Sequence, residues 1–141
     1  MKNEKYYTPN IEDVRVGYEY EFQGLPKGWH KMIFLENDNL KTFKYNLKLE
    51  DCIRCSYLTK EQIEAEGWKL WEYKSMLPDL YYKKHGYAVR FCLNNIIVIS
   101  EIMVGRGMED CWNKTLYEGN CKSINEFRWI CKLLKIKEEK L

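Results

Sequence analysis

Cys52-Ile53-Arg54-Cys55 has the spacing with which two thiolates can share one metal ion. A structural zinc site normally takes four ligands, and Cys111 and Cys121 are the pair that would have to complete it. Their separation matches no zinc knuckle, and Ile53 and Tyr57 read as strand positions, not as parts of a tight metal loop. The zinc reading therefore requires Cys52, Cys55, Cys111 and Cys121 to meet in space. Buried, inert thiols are the simpler reading. A redox pair would open a helix, where the N-terminal field lowers the thiol pKa. Here the next helix signal starts only at Thr59. A cysteine nucleophile would need an imidazole base, and the two histidines, His30 and His85, both sit beside glycine-containing turns.

Carboxylates and phosphate-binding loops give no stronger signal. Glu19 and Glu21 share a strand face but flank tyrosines, as on any solvated strand. Glu12-Asp13, Glu36/Asp38 and Glu109-Asp110 lack the dense spacing of a calcium loop. Gly105-Arg106-Gly107 is too short to cradle a phosphate and belongs to no dinucleotide fingerprint. No catalytic residue, metal or cofactor is assigned on these grounds, and whether the chain has an activity stays open.

The densest functional signal is a run of aromatic and basic residues: Tyr81, Tyr82, Lys83, Lys84, Tyr87 and Arg90. Aromatic rings supply the buried anchors of protein interfaces and cations set approach and orientation. The same residues suit base stacking and phosphate contact in nucleic-acid recognition, or an ordinary strand surface. Arg106, Trp112, Tyr117 and Arg128 are secondary interface candidates.

These residues must be positioned by an α+β framework. Thr8-Pro9 has the form of a capped helical turn, ended by Gly17. Tyr18, Tyr20 and Phe22 then alternate with Glu19, Glu21 and Gln23, the period of a half-buried strand. Turns at 24–28 and 37–39 bracket a second strand in WHKMIFL, the segment that follows through Leu49 reads as an irregular crossing, and DCIRCSYL reads as a strand. Thr59 with Gln62 forms a capping box ahead of a short connecting helix. WKLWEYK, LYYKK, YAVRFCL, IIVISEIMV and TLYEG follow as strands, with turns at His85-Gly86 and Asn94-Asn95. IIVISEIMV, nearly continuously apolar, belongs inside a sheet covered on both faces. Ser123 and Glu126 open a second capping box, and Phe127, Ile130, Cys131 and Leu134 line one face of a C-terminal helix.

The 141 residues fit one domain, 1–141, with no linker, repeat or low-complexity run. A hydrophobic share of 45% suffices for a core. Twenty-three basic against twenty-one acidic residues leave a formal charge of +2, too small to imply a polyanion partner from totals. The longest apolar run falls well short of the roughly 20 residues that span lipid. No signal segment opens the chain, so a cytoplasmic location without membrane association is the expectation.

IEDVRVGYEYEF, YLTKEQIEAEGW and the terminal SINEFRWICKLLKI together resemble small uncharacterised proteins of bacteriophages and Bacteroidetes-type genomes. That resemblance implies no enzymatic residues; it implies a phage or mobile-element product acting by binding a host or defence protein. The reading is a mainly antiparallel α+β domain, with a short connecting helix and a C-terminal helix on one face, that binds protein without catalysis. A nucleic-acid-associated factor is the alternative, and the oligomeric state is left open.

Overall fold

The computed structural model describes residues 5–24, 26–48, 52–72, 74–103 and 111–136; of residues 103 and 111–113 only the backbone is described. The fold is α+β, as expected, but the antiparallel pairing is divided between two sheets. The chain separates into two compact units, Met1–Tyr57 and Leu58–Leu141. No change of composition marks the boundary.

The first unit contains β1 (Tyr6–Tyr7), a 3-10 turn (Ile11–Asp13), β2 (Glu19–Gly24), β3 (Gly28–Ile33), α1 (Leu40–Lys48) and β4 (Ile53–Ser56). Its sheet has the order β1-β4-β2-β3. Asn10, not Thr8, caps the turn, through its side-chain oxygen and the Glu12 amide. Alternation along β2 acts as the sequence suggests. Tyr18, Tyr20 and Phe22 join Phe34, Phe43, Ile53 and Cys55 in the core. Phe43 meets the rings of Tyr20 and Phe34 edge-on, at 4.9 and 5.7 Å between centroids, an arrangement that aligns ring edges with ring faces. Burial, with Cys55 and Tyr7 beside it, drives the Tyr18 phenol pKa far above its ordinary value.

α1 corrects the expectation of an irregular crossing. Asn39 Oδ1 accepts from the amides of Lys41 and Thr42, at 2.8 and 3.3 Å, and thereby caps the helix. The helix fully buries Phe43 alone, with Leu47 partly buried; Leu40, Phe43 and Leu47 stand at the helical spacing i, i+3, i+7, the signal that marks it in the sequence.

The second unit contains α2 (Lys60–Ala65), β5 (Lys69–Leu70), β6 (Leu80–Lys84), β7 (Tyr87–Phe91), β8 (Ile96–Met103), β9 (Cys111–Asn120) and α3 (Ile124–Leu133). The five strands form a meander in sequence order. The strand expected across WKLWEYK shortens to Lys69–Leu70. His85 and Gly86 both have positive φ, 48° and 81°, and make the two-residue hairpin joining β6 to β7. Glycine is suited to that geometry because it has no Cβ to clash. β8 is interior to the sheet. Its successive residues Ile99 and Ser100 point to opposite faces and are 0% and 1% exposed.

One face of this sheet carries Tyr82, Val89, Ile97 and Ile99 into a core shared with Ile63, Trp68, Ile124 and Phe127. Both helices bring their apolar residues to that core. The Thr59–Gln62 capping box on α2 is complete. On α3 Ser123 Oγ accepts from the Glu126 amide, while the Glu126 carboxylate reaches one residue further back, to the Lys122 amide at 2.7 Å. No described helix is long and apolar enough to cross a membrane.

Candidate functional site

Strand alternation decides which candidate interface residues come together. β6 and β7 pair Tyr81 with Arg90, Tyr82 with Val89, Lys83 with Ala88 and Lys84 with Tyr87. Side chains directly opposite one another share a face. Tyr81, Lys83 and Arg90 therefore lie on the face away from the core helices. Tyr82, 0% exposed, and Lys84, 9% exposed, lie on the helix-covered face and leave the surface patch expected for them. Tyr87 and Tyr117 also pack against that core, and the Tyr117 hydroxyl donates to the Asn120 carbonyl at 2.6 Å. Arg128 is on α3, ion-paired to Glu66. Arg106 and the Trp112 side chain fall outside the described residues.

Around Tyr81 and Lys83 the outer face is already organised. Trp71, nearly buried, donates its amide to the Tyr81 carbonyl at 2.7 Å, and Lys83 Nζ stands 4.6 Å from the Trp71 ring centroid. Arg90 holds Asp79 Oδ2 through Nε and Nη2, at 3.0 and 2.6 Å. That bond raises the Arg90 pKa further above its already high value.

Asp79 closes the turn that leads into β6. The Met76 amide donates to the Asp79 carbonyl at 3.1 Å. Ser75 Oγ accepts from the Tyr81 amide at 2.9 Å and donates to the Trp71 carbonyl at 3.0 Å. The turn so fastened holds Met76 and Leu77 at 78% and 86% exposure. Leu80 pairs with Phe91, and Phe91 with Ile97, so the turn between β7 and β8 emerges at the same end of the sheet. That turn exposes Leu93 at 61%, and Ile96, the first residue of β8, is 37% exposed. One end of the sheet thus carries four exposed apolar residues, Met76, Leu77, Leu93 and Ile96.

A second arrangement joins residues far apart in sequence. On the outer face of the first unit's sheet, the Arg54 guanidinium lies 3.6 Å from the Tyr6 ring centroid and 4.0 Å from that of Trp29. Its Nη2 reaches Glu21 at 3.2 Å. Four strands contribute one residue each, so no local motif could disclose it; the outward parity of Glu21 and Trp29 on paired strands is the only trace.

Of the described thiols, Cys55 and Cys121 are buried, while Cys52, Cys92 and Cys131 are half-buried. Cys55 donates to the Glu19 carbonyl at 3.6 Å and Cys121 to the Ser123 carbonyl at 3.5 Å, both buried. Burial pushes the Cys121 thiol pKa well up, with Glu126 and Cys131 adding to it, the opposite of an activated nucleophile. The Cys111 side chain lies outside the described residues, and among those described no three His, Cys, Asp or Glu side chains converge as a metal site. His30 Nε2 donates to the Pro26 carbonyl at 2.7 Å.

Compared with family models, curated proteins and solved structures, the chain matches none.

Proposed function

We propose that the protein is a non-catalytic protein-binding module, and that its contact surface is the end of the second unit's sheet that carries Met76, Leu77, Leu93 and Ile96. The carrying observation is the exposure of Met76 and Leu77 on a turn fastened by Ser75 and Asp79. Contiguous exposed apolar side chains mark interaction surfaces. A turn already ordered loses less conformational entropy on binding than a flexible one. Arg90 and Tyr81 stand at the margin, where a charge and a ring set orientation.

The partner class is a host or defence protein in the cytoplasm, the setting implied by resemblance to phage and mobile-element products; inhibition of that partner is the corresponding role. Cation pairing favours protein over nucleic acid. Arg54 and Arg90 each hold a carboxylate, and nucleic-acid phosphate contacts at either would have to compete with those pairs.

Tagged protein would be used to capture partners from host lysate beside the Leu77→Glu variant, with any retained protein then purified and titrated. The reading expects one stoichiometric protein whose Kd rises about 30-fold or more in the variant, the scale of a lost hot spot. Equal retention by both proteins, or retention of nucleic acid alone with steep salt dependence, would overturn it.

A further inference from the structure

We propose that the second unit also carries a binding site for a small oxyanion, independent of the protein-binding reading. It is a pocket of about 30 Å³ between α3, β6 and the segment that follows α2. Lys84, Trp68 and Phe127 line it together with Arg128, Lys132 and Glu66.

Lys84 is the reason to assign a ligand. Strand alternation turns it toward the helix-covered face, where it is only 9% exposed. Its ammonium donates to the Glu66 backbone carbonyl at 2.7 Å. An ammonium has three donors and a full charge, and a buried charge is costly unless an opposite charge holds it. The Glu66 carboxylate, the acid lining this pocket, is bound to Arg128 instead. Among the described residues, Lys84, Arg128 and Lys132 thus line the pocket with one carboxylate, that of Glu66, which is committed to Arg128.

The dimensions select the ligand. The volume accommodates about one water-sized atom, so one oxygen of a tetrahedral or carboxylate anion enters toward Lys84 and the others remain at the rim. There Arg128, its side chain 42% exposed, and Lys132 can meet them. Inorganic phosphate is the simplest probe of this chemistry.

Phosphate titrated at constant ionic strength, with chloride as the balancing anion, tests the assignment. The wild type is expected to show a saturable rise in Tm, as binding to the native state requires, with matching NMR shifts near Lys84 and Arg128. Lys84→Met should abolish the response while its own Tm, without phosphate, equals or exceeds that of the wild type. Arg128→Gln, on the exposed side of α3, should weaken phosphate about tenfold or more and supplies the answer if Lys84→Met does not fold. Absence of a saturable response beyond chloride, or an undiminished response in both variants, would overturn the site.

Discussion

Tyr82→Phe separates a core role for Tyr82 from the surface role that its neighbours in the sequence suggest. The ring is 0% exposed, and its hydroxyl is buried without a hydrogen-bond partner of normal geometry. A buried unpaired hydroxyl costs about 1–3 kcal/mol, so removing the oxygen while keeping the ring should leave stability at pH 8 unchanged or raise it by about 1 kcal/mol. Tyr82→Ala should instead cost about 3–5 kcal/mol, the usual loss for a large core side chain. The pH dependence gives an independent check. Burial, reinforced by the Glu64 and Glu61 carboxylates, pushes the Tyr82 phenol from 10.0 up to about 12. Its neutral form is favoured in the fold, so the unfolded chain loses the proton first. Stability from this group is intact below pH 10 and falls as pH rises from about 10 to 12. Two pKa units correspond to about 2–3 kcal/mol. Urea unfolding of wild type and Tyr82→Phe, at pH 8 and at steps through the alkaline range, isolates this group because Tyr18 and Cys121 titrate in both proteins. The variant's advantage should grow with pH by up to about 2 kcal/mol. A loss above about 1 kcal/mol at pH 8, or a difference that stays flat with pH, would refute the reasoning.

Other perturbations probe the remaining features. Arg54→Lys keeps the charge but loses the planar stack between Tyr6 and Trp29; it should cost about 1–2 kcal/mol in urea unfolding, and Trp29 fluorescence should change with it. Ser75→Ala removes the anchor of the 75–79 turn and should cost about 1–2 kcal/mol, with faster hydrogen exchange at the Tyr81 amide as the local signature. A thiol reagent at neutral pH should leave Cys55 and Cys121 unmodified in the folded protein and label them only under denaturant; rapid native labelling of either would contradict their burial.

Short-range pattern carried much of the framework into the sequence. The alternation of Tyr18, Tyr20 and Phe22 with acidic and amide residues placed β2 and its buried face, and the Thr59–Gln62 box marked α2. The run Leu80–Lys84 misleads when its aromatic and basic residues are read as one surface. A strand sends consecutive side chains to opposite faces, so Tyr81 and Lys83 separate from Tyr82 and Lys84. α1 is legible in the i, i+3, i+7 spacing of Leu40, Phe43 and Leu47, a short signal that reading the segment as an irregular crossing passes over. The Arg54 stack depends on the order β1-β4-β2-β3, which no local signal encodes. Met76 and Leu77 give no signal in the sequence, because only the folded turn leaves their apolar side chains exposed.

The most direct measurement of the protein-binding account compares two exposed leucines in one unit. Leu77 lies on the proposed contact surface at 86% exposure, and Leu133 lies on α3 at 62%. Leu77→Glu and Leu133→Glu introduce the same charge at sites that contribute little to the core, and thermal melts would verify that both variants fold. Titration of the captured, purified partner should then give a Kd weakened about 30-fold or more by Leu77→Glu and left within about twofold by Leu133→Glu. Equal losses for both, or a loss confined to Leu133→Glu, would contradict the assignment of the contact surface.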